Sequence, residues 1–164
     1  MDIENKFKNF TGKILFNYSL KKLNWFNIGG STKIYFKPNS LNELIEFLKL
    51  YKDNKNLFVI GAGSNILFND DIFDGAVIKL TKNFSRISLL NQNTIIAGSG
   101  VLDKTVSDFA MENSLGGFEF LSCIPGTIGG GIRMNAGCFG NEFKDILISI
   151  QAVDKSGKVL TIPA

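Results

Sequence analysis

The chain has 164 residues, of which 45% are apolar and 20% charged, and its formal net charge is +3 at pH 7. This length and composition predict one globular domain with enough apolar residues for a core, and they contain no run of eighteen apolar residues that would predict a membrane span. Lysine and arginine are scattered apart from the Lys21-Lys22 doublet, which argues against a nucleic-acid partner.

Histidine is absent, and the two cysteines are Cys123 and Cys138. A conventional zinc site draws four ligands mostly from these two residue types, so we predict no metal site. Ser-His and Cys-His nucleophilic catalysis are excluded within the chain. We expect both thiols to be small, partly buried packing residues rather than a disulfide. The amino terminus lacks the apolar centre of a secretory signal, which predicts a cytoplasmic protein without a membrane partner.

The first half of the chain predicts a strand, a helix and a second strand. Apolar and polar residues alternate over residues 31–37, which is typical of a half-buried strand. Ser40 and Glu43 form an S-x-x-E capping box at the start of an amphipathic helix that reaches about residue 51. The apolar, β-branched run 57–60 predicts a buried strand.

The second half predicts short strands and one more helix. A helix over about residues 102–115 places Val106, Phe109 and Ala110 on one stripe, and Gly116-Gly117 is expected to stop it. The predicted strands are 76–80, 87–89, 94–97, 146–153 and 158–162. Because the two element types are interleaved, the sequence predicts an α+β fold.

A glycine loop directly follows the strand predicted at 57–60. Gly61 and Gly63 allow the backbone to approach a ligand closely, and successive amides in such a turn form an anion-binding concavity. Ser64 and Asn65 add side-chain donors. Ile66 stands where a Rossmann fingerprint requires its third glycine, so the two interpretations left open are a cradle for a dinucleotide pyrophosphate and a plain tight turn.

A second glycine-rich segment covers residues 124–137. Its glycines carry a conformational cost that is tolerated where a backbone passes close to a flat or charged group. Its apolar residues, among them Ile128 and Met134, are unusual in a mobile loop. We therefore expect an ordered loop that contacts a ligand, with a mobile loop as the alternative.

Three other polar features have simpler interpretations. Arg133 could contact a phosphate, but an exposed loop arginine explains it as well. Glu119 is explained equally well by capping or hydrogen bonding. Asp70 and Asp71 are adjacent residues whose side chains point apart, which favours a solvated turn over a catalytic carboxylate pair.

Several of these strings together resemble the UDP-N-acetylenolpyruvoylglucosamine reductase family. They are NWFNIGG at 24–30, GAGSNIL at 61–67 and, within 117–137, GFEFL, IPGTIGG and MNAG. The match is collinear and covers the chain from about Leu23. The G-x-G-S-N loop is shared with other flavoproteins of the vanillyl-alcohol-oxidase type, whereas the combination of I-P-G-x-x-G-G with M-N-A-G is more specific.

The resemblance implies a truncated α+β FAD-binding fold of the vanillyl-alcohol-oxidase/PCMH type with two small subdomains. It implies an amino-terminal extension at 1–22 and an FAD-binding domain at 23–164. That domain would consist of one subdomain at about 23–80 and a partial second one at about 81–164. A carboxy-terminal substrate-binding domain is expected to be absent.

The resemblance also implies a chemistry. FAD would be the cofactor and NADPH the reductant, and the reaction would reduce UDP-N-acetylglucosamine enolpyruvate to UDP-N-acetylmuramate for peptidoglycan, hence for cell-wall biogenesis, cell shape and division. The cofactor itself would supply the redox step. Residues expected at the pyrophosphate are Gly61, Gly63, Ser64 and Asn65. Residues expected along the rest of the cofactor are Pro125, Gly126, Thr127, Gly129, Gly130, Asn135, Ala136 and Gly137.

The chain departs from the family beyond those motifs. A Tyr-Arg segment that contacts substrate, a Ser or Cys proton donor and a Glu would all come after Ala164, and Phe139 replaces a family tyrosine. We therefore expect no catalytic residue and no turnover in this chain alone, and UDP-sugar binding only with a complementary carboxy-terminal fragment. The alternatives are an FAD- or nucleotide-binding module without catalysis and another PCMH-type flavin oxidase.

Overall fold

The computed structural model describes residues 7–51, 56–80 and 82–164. Its strands are β1 (Lys13–Ser19), β2 (Ser31–Lys37), β3 (Leu57–Ile60), β4 (Ile72–Lys79), β5 (Ile87–Asn91), β6 (Thr94–Ala97), β7 (Gly137–Cys138), β8 (Asn141–Glu142), β9 (Ser149–Val153) and β10 (Val159–Pro163). Its helices are α1 (Leu41–Leu50), α2 (Asp103–Glu112), α3 (Ile128–Met134) and α4 (Phe143–Ile146). Among the described residues, no helix is long and apolar enough to cross a bilayer.

The first half of the chain forms a four-stranded sheet in the order β1-β2-β4-β3. β1 is antiparallel to β2, whereas β4 is parallel to both β2 and β3. α1 covers one face, where the rings of Phe36 and Phe47 stack with their centroids 4.4 Å apart. The core on this side also contains Ile34 and Ile78.

The opposite face of the sheet has a core of its own, which corrects the prediction for β2. Tyr35 and Val77 pack there with Leu20 and Ile60. Tyr35 is only 3% exposed, so β2 is buried on both faces, and the prediction of a half-buried strand was wrong. The alternating pattern failed because β2 lies inside the sheet and a tyrosine can bury its ring like an apolar residue.

β3 is more exposed than the sequence predicts, whereas β2 is more buried. It lies at the edge of the sheet, and Phe58 and Val59 are 37% and 55% exposed. The prediction of a buried strand was therefore wrong, although the bounds 57–60 were right. A continuous apolar run does not distinguish a central strand from an edge strand, because that depends on which strand pairs next to it.

The capping box at α1 forms only in part. Ser40 Oγ accepts a hydrogen bond from Glu43 N at 3.1 Å, as predicted. The Glu43 carboxylate does not return to Ser40. It accepts instead from the backbone amides of Thr11, Gly12 and Asn39 at 2.6, 2.8 and 2.6 Å. Glu43 therefore fastens the segment before β1 to the start of α1.

The segment expected to be an amino-terminal extension contributes to this sheet. Residues 1–6 lie outside the described residues, but residues 13–19 form the edge strand β1. Phe7 stacks on Phe47 with ring centroids 5.1 Å apart, and Leu20 is 1% exposed. The described part of this segment therefore packs into the cores of the four-stranded sheet.

The second half builds a separate core beneath α2, α3 and α4. Val106, Phe120, Leu121, Ile128 and Phe143 are its central members. Beside it β5 pairs with β6, and β7 pairs with β8. Helices and strands alternate along this half of the chain, as the sequence predicts.

Several boundaries in this half differ from the prediction: β5 extends to Asn91 rather than residue 89, β10 is shifted by one residue, and two differences are larger. α2 ends at Glu112 rather than near residue 115, and the left-handed residue after it is Ser114, with φ 56°, rather than a glycine. Residues 143–146 are helical, so the strand predicted from 146 begins only at Ser149. The amide of Leu115 donates to Ala110 O at 2.9 Å, which closes the helix before the expected Gly-Gly stop.

A final hairpin, β9 with β10, returns to the first subdomain. At its turn Gly157 adopts φ +85°, and a Cβ there would lie 3.1 Å from Ile45 Cγ2 of α1. Val153 packs against the core that contains Phe47. The end of the chain is therefore in contact with its first half.

Candidate functional site: two glycine segments that meet

The first glycine loop leaves β3 as a tight turn over residues 61–65. Gly63 has φ +79°, and its carbonyl accepts a hydrogen bond from Trp25 N at 3.1 Å. A Cβ at Gly63 would overlap the carbonyl oxygen of Leu23. Positive φ and close backbone packing both require glycine at this position.

The loop carries polar groups without partners. Among the described residues, the amides of Ala62, Ser64 and Asn65 form no hydrogen bond, and neither do the Ser64 and Asn65 side chains. Ser64 is half-buried and Asn65 is exposed. Amides and hydroxyls clustered in one turn are the donors that an anionic oxygen binds.

The second glycine segment is ordered, as predicted, but it is not a loop throughout. Residues 128–134 form the helix α3, which begins after Thr127, so the expectation of a loop over 124–137 was wrong at these residues. Glycine is a poor helix former, but neighbouring groups leave no room for larger residues here. A Cβ at Gly129 would lie 2.9 Å from Ser99 Cβ, and one at Gly131 would overlap the ring of Phe143.

Backbone hydrogen bonds hold the start of this segment against residues 99–103. Thr127 forms an antiparallel bridge with Leu102. Ile128 N donates to Val101 O, and Gly129 N donates to Ser99 O, both at 2.9 Å. The position of residues 126–129 is therefore fixed by the turn that precedes α2.

The two glycine segments meet at Gly61 and Thr127. A Cβ at Gly61 would overlap Thr127 Oγ1, and a Cβ at Gly130 would lie 3.4 Å from the same atom. The structure thus brings Gly61, Thr127 and Gly130 to one place, although Gly61 and Thr127 lie 66 positions apart in the chain. Thr127 itself is 8% exposed.

Asn135 has structural partners at the far end of the segment. It adopts a left-handed conformation with φ 44°. Its Nδ2 donates to Glu142 Oε2 at 2.8 Å, and its Oδ1 accepts from Lys144 N at 3.0 Å. A hydrogen bond from Lys144, and a second from Asn135, lower the pKa of Glu142.

The other predicted site residues lie on either side of this contact. Ala136 packs against the second core, Gly137 begins β7, and Pro125 is exposed beside the half-buried Gly126. Gly126 O accepts from Asp103 N at 3.2 Å. The segment therefore runs as a continuous strip from Pro125 to Gly137, of which residues 126–130 lie nearest the first loop.

Asp103 is a feature of this site that the sequence analysis did not single out. It is fully buried, and neither carboxyl oxygen has a hydrogen-bond partner among the described residues. Burial raises the pKa of this carboxyl to about 7. An acidic residue in the first turn of a helix is common, so the sequence contained no signal that this one is buried and unpaired.

The remaining polar features follow their simpler interpretations, with one exception among the cysteines. Glu119 accepts a hydrogen bond from Gly117 N at 2.8 Å, and Arg133 is exposed. Asp70 and Asp71 are exposed as well. Cys138 is half-buried as expected, whereas Cys123 is exposed and was wrongly predicted to be a packing residue.

The arrangement fits a dinucleotide cofactor such as FAD. A turn with unpaired amides can bind a pyrophosphate. The second segment runs beside this turn, and its glycines have no side chains that would block a ligand. Thr127 and Gly61 are packed tightly enough to fix the relative position of the two segments. The chemistry that such a site supports is binding and orientation, with the redox reaction supplied by the cofactor.

Comparison with known proteins identifies a family for the chain. The model of the FAD binding domain family matches residues 32–163. UDP-N-acetylenolpyruvoylglucosamine reductase from Pelagibacter ubique (strain HTCC1062) is 62% identical over the whole chain, and that from Rickettsia canadensis (strain McKiel) is 45% identical over 88% of it. The chain spans 55% and 49% of the lengths of these two relatives.

Solved structures share the fold. The crystal structure of UDP-N-acetylenolpyruvylglucosamine reductase from Thermus caldophilus superposes with a TM-score of 0.73 at 24% identity, over 93% of this chain and 52% of that one. The 6-hydroxy-D-nicotine oxidase of Arthrobacter nicotinovorans superposes with a TM-score of 0.65 at 14% identity, over 94% and 36%. The predicted resemblance and the predicted fold class are both confirmed, and the chain belongs to the FAD binding domain family.

Proposed function

We propose that this chain is the FAD-binding part of a UDP-N-acetylenolpyruvoylglucosamine reductase. The observation that carries the proposal is the contact of Gly61 with Thr127, which joins the two glycine segments that define the resemblance. The 62% identity to the Pelagibacter reductase supports the assignment. We also propose a border near residue 80 between two subdomains, which the apolar cores of the two halves support, with β1 counted in the first of them.

The roles of individual residues follow from their positions. Gly61, Gly63, Ser64 and Asn65 would bind the pyrophosphate through amides and side-chain donors. Pro125, Gly126, Thr127, Gly129, Gly130, Asn135, Ala136 and Gly137 would line the rest of the cofactor. FAD, once bound, supplies hydride transfer. Residues of this chain bind the cofactor, orient it and exclude water from it, and none of them is assigned a catalytic role.

The activity of the whole protein is a further part of the proposal. NADPH would reduce the flavin, and the enolpyruvyl group of a UDP-sugar would be the acceptor, in peptidoglycan synthesis in the cytoplasm. UDP-sugar binding and turnover would require the rest of the reductase, as a complementary carboxy-terminal part. No nucleic acid, membrane or metal has a role in the proposal. NADPH consumption that depends on the UDP-sugar and is catalysed by these 164 residues alone would contradict it.

FAD titration of the purified chain tests the binding function. We expect saturable quenching of flavin fluorescence, together with a change in the emission of Trp25, the chain's one tryptophan. Trp25 is 60% exposed, and its backbone amide donates a hydrogen bond to Gly63 O. A folded chain that leaves both signals unchanged at high FAD concentration would contradict the assignment.

Two serine variants show whether binding uses the first loop. Ser64→Ala removes a half-buried hydroxyl from the loop, and we expect FAD affinity to fall roughly 2- to 12-fold, which corresponds to one hydrogen bond. Ser88→Ala removes an exposed hydroxyl on β5 and is expected to leave affinity unchanged. Equal affinity of the two variants would place the pyrophosphate elsewhere.

A further inference from the structure

Asp103 is a buried carboxylic acid for which the described part of the chain offers no hydrogen-bond partner. It is the first residue of α2, its exposure is 0%, and both oxygens lack hydrogen-bond donors among the described residues. A carboxylate in such surroundings loses its hydration without compensation, so the neutral acid is strongly favoured. Burial accordingly raises the pKa of Asp103 to about 7.

The acid lies directly behind the proposed cofactor segment. A Cβ at Gly126 would be 2.5 Å from Asp103 Oδ2, and Asp103 N donates to Gly126 O at 3.2 Å. The next residue, Thr127, places its Oγ1 against Gly61 at the start of the pyrophosphate loop. Asp103 therefore lies against the residue that precedes Thr127, and Thr127 in turn lies against the start of the proposed pyrophosphate loop.

No described cation neutralises this carboxyl. On α2, Lys104 and Asp108 are exposed and pair with each other at 2.8 Å. The turn 98–101 and the segment 124–127 contain no ionisable side chain. On the short helix at 119–123, the Glu119 carboxylate accepts a hydrogen bond from Gly117 N.

Among the described residues, α3 and α4 provide no cation that pairs with Asp103 either. Arg133 is exposed in the last turn of α3. On α4, Lys144 pairs with Glu142 at 2.5 Å, and Asp145 accepts a hydrogen bond from Glu142 N at 2.8 Å. The neutral form of Asp103 is therefore set by burial alone.

We propose that Asp103 couples cofactor binding to protonation: the chain takes up a proton on this carboxyl when the pyrophosphate of FAD binds, and the carboxyl stays neutral in the complex. The inference rests on the proposed function. Its physical basis is that a nearby anion in a poorly hydrated environment disfavours a second negative charge. Asp103 is a positioning residue here, because it acts through Gly126 and touches no reacting atom.

The sign of the effect follows from linkage. If the complex holds Asp103 protonated to a higher pH than the free chain does, FAD affinity falls as pH rises above about 7, by at most tenfold per pH unit. Below that pH both states are protonated, and the affinity does not depend on this group. The loss levels off once Asp103 is ionised in the complex as well.

Isothermal titration calorimetry with FAD counts the proton directly. At pH 7.5, the full chain is titrated in two buffers of different ionisation enthalpy, and the difference in binding heat gives the protons taken up. We expect a substantial fraction of one proton for the wild-type chain and none for Asp103→Asn, whose amide has nearly the same shape. Asp108→Asn, an exposed carboxylate on the same helix, is expected to keep the wild-type uptake.

Each outcome has a separate meaning. Equal proton uptake by the wild-type chain and Asp103→Asn, or none by the wild-type chain while it binds FAD, would overturn the inference and leave the proposed function intact. No binding heat and no flavin quenching would instead reject the proposed function. If Asp103→Asn does not fold, ¹³C carboxyl titration of the wild-type chain decides: the resonance titrating near pH 7 must move to higher pH with FAD, and an unmoved resonance refutes the coupling.

Discussion

Thr127 Oγ1 occupies the space that a side chain at Gly61 would need. Gly61 directly follows β3, one of the two edge strands of the four-stranded sheet, and Thr127 precedes α3. The contact therefore fixes the position of one glycine segment against the other. It also gives Gly61 a role distinct from that of Gly63, which is required by its positive φ.

Gly61→Ala should destabilise the chain by about 1–3 kcal/mol, because the new methyl group overlaps Thr127 Oγ1. Adding Thr127→Ala removes that oxygen and leaves only atoms at the distance of Thr127 Cβ, 3.6 Å from the new methyl group. We expect the double variant to regain part of the loss, and urea unfolding of all four species in a double-mutant cycle measures the coupling.

Gly116→Ala is the matched control for that cycle. A Cβ there would approach nothing closer than Glu119 Oε1 at 3.6 Å, so stability should be unchanged or slightly raised. Additive effects of Gly61→Ala and Thr127→Ala, with no rescue, would show that the contact is not the cause of the destabilisation.

Adjacent glycines of α3 should respond in opposite directions. Gly131→Ala places a methyl group in the ring of the buried Phe143, and we expect a loss of about 1–3 kcal/mol. Gly130→Ala meets only Thr127 Oγ1 at 3.4 Å, and it gains up to about 1 kcal/mol of helix propensity. Thermal unfolding compares the two, and a similar shift for both would contradict the packing of α3 on Phe143.

Glu43→Gln should remove a stabilising contact between the segment before β1 and α1. Burial alone would raise the pKa of Glu43, but hydrogen bonds from Asn39, Gly12 and Thr11 lower it below its ordinary value. The stabilisation is therefore present at pH values above the ordinary carboxyl pKa and is lost as pH falls through the lowered one.

We expect Glu43→Gln to cost about 1–3 kcal/mol at pH 7 in chemical unfolding, and less at acid pH. Glu46 lies on the same helix and is exposed, so Glu46→Gln serves as the control and should have almost no effect. A cost for Glu43→Gln that does not change with pH would mean that the charge of the carboxylate is unimportant.

The contribution of Asp103 to the free energy of unfolding should depend on pH in the opposite direction. Its pKa of about 7 lies above the ordinary 3.8, so the folded state holds a proton that the unfolded state loses. The stabilisation that protonated Asp103 gives to the folded state is fully present below about pH 4. It falls as pH rises to 7, by at most about 1.4 kcal/mol per pH unit. Asp103→Asn should remove this slope, and the variant should be more stable than the wild-type chain at pH 8.

The measurement is the free energy of unfolding of both chains at pH 5, 6, 7 and 8. The difference between them isolates Asp103 from other carboxylates, including Glu43. A constant difference across this range would show that Asp103 titrates normally in the folded chain.

The sequence by itself determined several of the elements and singled out the two glycine segments proposed as the site. Alternation and helical spacing predicted β2, α1 and β6 with nearly their observed bounds, since these patterns depend on local periodicity. The two glycine segments stood out because glycine in such density needs a structural reason. Their order along the chain also carried the family resemblance.

Tertiary structure decided what surrounds those elements. Strand order put β2 in the centre and β3 at the edge, and so reversed their predicted burial. Packing against Phe143 and Ser99 made a helix of glycines that propensity alone disfavours. Only folding placed Gly61 against Thr127 and left Asp103 without a hydrogen-bond partner among the described residues, because such contacts depend on how distant segments pack rather than on any local pattern.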